Sequence, residues 1–280
     1  MKLFLDSWIL ISLLDGRGSL GFDEVRDRLC AKGHQLAVTP TLVFELAAPL
    51  SASSTETNVM RRLIDLETLP TAYLADGQIA RRELLSAIQA FSDCREYVPV
   101  DPYVERFDAA IPLYGSAPTA LYLHHSLPET VLTIWQEKPK LFRPPIERFR
   151  ALIEADRRLS KAPSLAIHFR EKVRRDLSLY GLSEPSGGVN ALAGWIYERP
   201  DRCPGARLDY EVYHHLRRNV GDQPEASDFG DFAHVRCTPY VDLMTLDSRM
   251  ADYVRRSGQG WRNDPARKLR HDLSAILEEL

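Results

Sequence analysis

Four short stretches of this chain carry acidic residues of the type and spacing that could bind a metal ion. The stretches are residues 2–7 (KLFLDS), 39–45 (TPTLVFE), 227–231 (SDFGD) and 243–247 (LMTLD). Their acids are Asp6, Glu45, Asp228, Asp231 and Asp247. Each acid follows an apolar run or lies on a predicted helix. In a parallel sheet the residues that follow the strands lie together at the carboxyl edge, where ligands bind. Converging carboxylates with no basic residue among them repel one another, so we expect a hard divalent cation to neutralise them.

The elements that must position these acids alternate between strand and helix at both ends of the chain. Near the start, apolar and capping patterns predict strands at 2–5 and 35–38 and helices at 8–14 and 22–31, followed by a helix that carries Glu45. Near the end they predict helices at 228–238 and 248–256, a strand at 241–246, and a final helix from residue 265. This alternation favours an α/β fold with a parallel sheet.

The middle of the chain has a different character. Helical periodicity dominates from residue 51 to residue 221, and only residues 96–100 have the pattern of a further strand. The sequence therefore predicts a core formed by residues 1–50 and 222–280. Residues 51–221 are predicted to form a mostly helical insertion that packs on this core.

Composition narrows the class of protein. The chain has 280 residues, 44% hydrophobic and 27% charged, with a net charge of -3, which is typical of a folded globular protein. Its four cysteines are scattered without a C-x-x-C pair, so neither a disulfide framework nor a zinc site is indicated. No apolar stretch approaches the ~20 residues of a membrane span. We expect a cytoplasmic protein that does not bind membranes.

The order and surroundings of the acids resemble those of the PIN-domain nucleases. In that family an aspartate ends the first strand, a glutamate lies on a helix after the second strand, and an aspartate lies near the start of a later helix. A last aspartate follows a strand, closely preceded by a hydroxyl residue. The matching positions are Asp6, Glu45, Asp228 or Asp231, and Asp247 with Thr245 two residues before it. The resemblance implies a PIN-like α/β/α sandwich, although the insertion has no counterpart in the small toxin-type members.

These residues have distinct predicted roles. Mg²⁺ or Mn²⁺ would be held by Asp6, Asp228 and Asp247, and would activate a water molecule and stabilise a departing oxygen. Asp228 is preferred to Asp231 because the first helical turn lies closest to the sheet edge, but both stay candidates. Thr245 would support a metal-held water or belong to the core. His234, one turn after Asp231, is predicted to pack or to form a hydrogen bond rather than bind metal.

Basic residues of the insertion are candidates for binding the substrate. They cluster on two predicted helices and are Arg157, Arg158, Arg170, Arg174 and Arg175. An anionic nucleic-acid backbone that approaches an acidic metal site needs flanking positive charge. The alternative is that these arginines form ordinary solvated helix faces.

Together these features predict a metal-dependent endonuclease. RNA is the substrate that the resemblance implies, so the protein would be an endoribonuclease, toxin-like in character. Two alternatives stay open: a PIN-like module that binds nucleic acid or protein without turnover, and a DNA-directed nuclease of a defence system. The resemblance also leaves open a protein inhibitor or antitoxin and a homodimer as partners.

Overall fold

A six-stranded sheet combines strands from both ends and from the middle of the sequence. The computed structural model describes residues 1–17, 20–48, 56–111, 126–137, 146–158, 165–225, 227–257 and 261–279. The strands are β1 (Lys2–Phe4), β2 (Gln35–Val38), β3 (Thr71–Leu74), β4 (Tyr103–Val104), β5 (Leu243–Thr245) and β6 (Leu269–Arg270). Their order is β4-β3-β2-β1-β5-β6, and every pairing is parallel except that between β3 and β4. The α/β class is confirmed, but the sheet is mixed rather than purely parallel.

Helices account for most of the remaining described residues. From the first half of the chain these are α1 (Ser7–Leu14), α2 (Phe22–Lys32), α3 (Pro40–Ala47), α4 (Glu56–Thr68), α5 (Ile79–Ser92), α6 (Phe107–Ala110) and α7 (Leu127–Glu137). From the second half they are α8 (Ile146–Arg158), α9 (Leu165–Leu179), α10 (Val189–Tyr197), α11 (Pro204–Arg218), α12 (Asp228–Cys237), α13 (Ser248–Ser257) and α14 (Leu273–Glu278). Across the ranges given above, no helix has both the length and the apolar character needed to cross a membrane.

Three local predictions were wrong. Residues 96–100 form no strand, and the final helix begins at Leu273, after a 3₁₀ turn and strand β6. Strand β3 was missed because it is short and follows α4 so closely that its apolar residues extend the helical pattern. Strands β3 and β4 both lie in the segment that the sequence assigned to the helical insertion. The predicted boundary between residues 50 and 51 lies outside the described residues.

Buried apolar side chains form two groups. The larger group surrounds the sheet and includes Phe4, Leu36, Leu74 and Met244. The smaller group contains no strand residue and lies among α5, α9, α10 and the first half of α11. Helix α11 contributes residues to both groups, so it joins the middle segment to the sheet.

The strand order places a topological switch point beside β1. Its neighbours are β2 on one side and β5 on the other, with Phe4 opposite Met244 in the parallel register with β5. In open α/β sheets, ligands bind in the crevice at the carboxyl ends of the strands where the order reverses. Asp6 and Asp247 each lie two residues beyond the end of one of these strands. The fold therefore brings both aspartates to the expected edge.

Candidate metal centre

Asp6 is fixed at the sheet edge through its backbone. Its N–H donates a hydrogen bond of 2.8 Å to the hydroxyl of Thr245, which is fully buried at the end of β5. The Asp6 side chain makes no capping hydrogen bond to α1, although it directly precedes that helix. Thr245 therefore holds the end of β1 against β5, and the carboxylate of Asp6 is not used as a helix cap.

Glu45 is positioned by the start of α3. The hydroxyl of Thr39 accepts the N–H of Leu42 at 3.0 Å, which fixes the first turn of the helix. Asp76, which follows β3, is buried, and its carboxylate accepts the N–H of Thr41 at 3.3 Å. Asp76 was not selected as a candidate from the sequence, because β3 had not been recognised. Both contacts set the orientation of the helix that carries Glu45.

Helix α12 crosses close to α3 at Gly230. A Cβ atom built on this glycine would lie 1.7 Å from Oε1 of Glu45. A glycine at this point therefore leaves the space that the Glu45 carboxylate occupies. A glycine inside a helix lowers stability by roughly 1 kcal/mol relative to alanine. The presence of Gly230 within a predicted helix was therefore a sequence signal that this position is important.

His234 lies among the acids. It is fully buried, with Nδ1 3.7 Å from Oδ1 of Asp6 and Nε2 3.5 Å from Oε2 of Glu45. Its ring packs against Phe4 at a centroid distance of 5.0 Å. The prediction that no basic group accompanies the acids was wrong, because α12 presents His234 and Asp231 to the same edge of the sheet.

Asp231, rather than Asp228, shares this site. Single ligand atoms of Asp6, Asp231 and His234 all lie within 4.8 Å of one another. Asp228 is fully buried, but its carboxylate forms an ion pair with Arg249 and accepts the N–H of Glu225 at 2.7 Å. The geometry reverses the predicted preference, since the charge of Asp228 is neutralised by an arginine outside the acidic cluster.

Asp247 uses one carboxylate oxygen for structure. Oδ1 accepts the N–H groups of Arg249 and Met250, at 2.8 and 3.1 Å, and so caps α13. Oδ2 is buried and has no hydrogen-bond partner among the residues that the structure describes. Asp247 is close enough to Asp231 to raise the pKa of that carboxyl. One of its oxygens is therefore available to the cluster.

Burial and mutual repulsion shift the titration of the cluster. Burial is the main cause that raises the pKa of Asp231 to about 8, and Asp247, Glu45 and Asp6 add to it against the effect of His234. Burial also raises the pKa of Glu45. Burial alone would lower the pKa of His234, but Glu45, Asp6 and Asp231 together raise it to about 9. At neutral pH the metal-free protein therefore keeps protons on Asp231 and His234 that these side chains would mostly release in an unfolded chain.

The unpartnered atoms of the cluster fit a divalent cation. Oε2 of Glu45, Oδ2 of Asp247 and both ring nitrogens of His234 are buried and have no hydrogen-bond partner in the described part of the chain. Each such atom costs on the order of 1–3 kcal/mol when it is left unsatisfied. Carboxylate oxygens and an imidazole nitrogen are donors that divalent metals accept. Asp6 and Asp231 would hold the ion, with His234, Asp247 and Glu45 beside it.

These shifts predict a pH-dependent stability of the metal-free protein. The folded state keeps protons on Asp231 and His234 that the unfolded chain releases near its ordinary pKa values of 3.8 and 6.5. The resulting stability is lost as the pH rises through about 8 and 9. We expect the free energy of unfolding in EDTA to fall between pH 6 and pH 9, measured by chemical denaturation.

Asp231→Asn provides the control for this prediction. Burial also raises the pKa of Glu83 to about 7, so this residue adds to the fall in unfolding free energy as the pH rises. Its contribution is the same in the wild type and in the variant. The decline between pH 6 and pH 9 should therefore be shallower in the variant than in the wild type. Equal declines in the two proteins would contradict the electrostatic account of the cluster.

The five predicted substrate-binding arginines differ in their contacts. Arg157 donates to the carbonyls of Leu216, Arg217 and Asn219 at the end of α11, so it serves the structure rather than a substrate. Two others form ion pairs within their own helices, Arg158 with Glu154 and Arg174 with Glu171. Arg170 and Arg175 are exposed on α9 and have no hydrogen bond or ion pair with any residue in the described ranges. They are the two that suit the predicted role.

The chain was compared with protein-family models, with curated proteins and with solved structures, and none of these comparisons found a match. The α/β fold and the geometry of the cluster therefore carry the functional conclusion by themselves.

Proposed function

We propose that this protein is a divalent-metal-dependent nuclease with a PIN-like fold that hydrolyses phosphodiester bonds in RNA. The observation that carries the proposal is a group of three buried side chains at the carboxyl end of β1, those of Asp6, Asp231 and His234, whose ligand atoms all lie within 4.8 Å of one another. Beside this group, Oδ2 of Asp247 and Oε2 of Glu45 are buried and have no hydrogen-bond partner among the described residues. Their place at the switch point of the sheet is where such folds bind ligands.

The residues of the cluster have complementary roles in this proposal. Asp6 and Asp231 would hold the Mg²⁺ or Mn²⁺ ion, and Asp247 is close enough to Asp231 to raise the pKa of that carboxyl. A bound divalent cation would lower the pKa of a water molecule and stabilise the departing oxygen. Glu45 is 27% exposed and has a raised pKa, a combination that suits acceptance of a proton from that water.

Two surface features support nucleic acid as the substrate. Trp8 lies in the first turn of α1, two residues after Asp6, and is 67% exposed. Exposed aromatic side chains provide stacking surfaces for the bases of single strands. Arg170 and Arg175 supply exposed positive charge for a phosphate backbone. The preference for RNA over DNA rests on the resemblance to PIN-domain nucleases.

A non-catalytic binding module is the second candidate. It is favoured by His234, which carries a positive charge at neutral pH and so can neutralise the carboxylates without a metal ion. A protein inhibitor or antitoxin, a homodimer and a cytoplasmic location stay predictions from the sequence.

Cleavage of labelled single-stranded RNA and DNA, with Mg²⁺, Mn²⁺ or EDTA, tests the proposal. We expect metal-dependent cleavage of RNA that is lost in Asp6→Asn. Asp242→Asn is the matched control, because Asp242 is exposed at the other end of the sheet and accepts the N–H of Lys2 at 2.7 Å. Cleavage that persists in EDTA would contradict the proposal, and cleavage of DNA alone would change the substrate. A folded wild type that binds RNA without cutting it would establish the binding module instead.

A further inference from the structure

We propose that His234 is a nitrogen ligand of the metal ion and that the centre therefore selects a transition-metal dication such as Mn²⁺ over Mg²⁺. This inference rests on the metal centre of the proposed function but not on its nuclease activity. Asp6 would contribute its ligand from the end of β1. Asp231 and His234 would contribute theirs from successive turns of α12.

The spacing of the ligand atoms suits a shared ion. Donor atoms about 2.1 Å from one metal ion lie about 3 Å apart when adjacent and about 4.2 Å apart when opposite. The Nδ1 atom of His234 lies 3.7 Å from Oδ1 of Asp6, and Asp231 completes a group within 4.8 Å. Only a small contraction is needed to bring these three atoms to bonding distance of a single ion.

The ring nitrogens of His234 contact two carboxylates at ion-pair distance but form no hydrogen bond with any described residue. His234 is fully buried, and within the described ranges neither of its ring nitrogens has a hydrogen-bond partner. Its contacts with Asp6 and Glu45, at 3.7 and 3.5 Å, are longer than hydrogen bonds. A buried polar ring is normally hydrogen-bonded. The two buried nitrogens without a hydrogen bond are therefore the second observation, beside the cluster of acids, that points to a ligand.

The donor set determines which metal is preferred. Mg²⁺ is a hard cation that takes oxygen ligands, whereas imidazole suits first-row transition metals. A cluster of carboxylates alone would accept either ion. The nitrogen of His234 adds a bond that Mn²⁺ accepts more readily than Mg²⁺ does.

Calorimetric titration of the full chain with Mn²⁺ and with Mg²⁺ tests the selectivity. We expect tighter binding of Mn²⁺, and His234→Gln should lower the affinity for Mn²⁺ by about tenfold or more while changing that for Mg²⁺ much less. His271→Gln is the control, since its side chain is 79% exposed and lies outside the cluster. Equal losses for both ions in a folded His234→Gln variant would overturn the inference.

A measurement on the wild type does not depend on the folding of any variant. Pulsed electron paramagnetic resonance of the Mn²⁺-bound protein should show the ¹⁴N modulation of a directly bound imidazole. Bound Mn²⁺ without this modulation would overturn the inference alone, and would leave His234 as a positive countercharge. Failure of the folded protein to bind either ion would overturn the metal dependence of the proposed function as well. Nitrogen-coupled Mn²⁺ without cleavage of nucleic acid would contradict only the nuclease.

Discussion

Asp231→Asn is expected to abolish metal-dependent cleavage and leave the protein folded, whereas Asp228→Asn should destabilise the fold. The two aspartates lie three residues apart on α12, yet their partners differ. Asp231 shares a site with Asp6 and His234, and burial raises its pKa to about 8. Asp228 is fully buried in an ion pair with Arg249.

The expected magnitudes follow from these surroundings. Loss of the Asp231 ligand should lower the rate of cleavage by at least about 100-fold, which corresponds to about 2.7 kcal/mol. The unfolding free energy of Asp231→Asn should equal that of the wild type or be slightly higher. Burial disfavours the ionised form of Asp231, and the substitution removes this charge. Asp228→Asn removes the buried partner of Arg249, which keeps its ion pair with Asp222 at 3.0 Å, and should cost about 2 kcal/mol of stability.

Cleavage rates per folded molecule and chemical denaturation, measured on both variants, separate the two roles. Rates should be taken well below the unfolding midpoint of Asp228→Asn, so that unfolding does not imitate a loss of activity. Near wild-type cleavage by Asp231→Asn together with inactive, fully stable Asp228→Asn would show that the predicted preference for Asp228 was correct after all.

What the sequence could predict was local. The start of α3 was readable from Thr39 and Pro40, because a hydroxyl cap and a proline in the first turn act within a few residues. The positions of Asp6 and Asp247 followed from the short apolar runs before them. The alternation of predicted strands and helices at both ends of the chain was sufficient to predict the α/β class.

What could not be predicted depends on contacts that are distant in sequence. The choice between Asp228 and Asp231 is set by Arg249, which belongs to the next helix and removes Asp228 from the cluster. The role of His234 depends on how α12 lies across the ends of β1 and α3. Strand β3, and with it Asp76, was hidden because four residues directly after a helix do not establish a period of their own.

Gly230→Ala is expected to reduce the proposed cleavage activity as severely as removal of the Glu45 carboxylate, without unfolding the protein. The added Cβ would lie 1.7 Å from Oε1 and 2.9 Å from Cδ of Glu45. Its next neighbour is Cγ2 of Thr41 at 3.6 Å, an ordinary contact. Because the obstructing atoms are the end of a flexible side chain, the carboxylate should turn away while the helices stay in place.

Gly194→Ala is the matched control for this substitution. Gly194 lies within α10, and a Cβ atom there would meet no atom within 4 Å. Alanine should raise helix stability by about 1 kcal/mol at this position and leave cleavage unchanged. At Gly230 the same gain should offset part of the cost of moving Glu45, so that the net change in unfolding free energy stays within about 1 kcal/mol.

A double-mutant cycle with Glu45→Ala identifies the cause. If Gly230→Ala acts by displacing the carboxylate, the double variant should be no less active than Glu45→Ala alone, because the group that is displaced has already been removed. Losses that multiply in the double variant would mean that the glycine serves the site by another route. Full activity of Gly230→Ala would show that the Glu45 carboxylate is not needed in the place it occupies, and would remove Glu45 from the proposed centre.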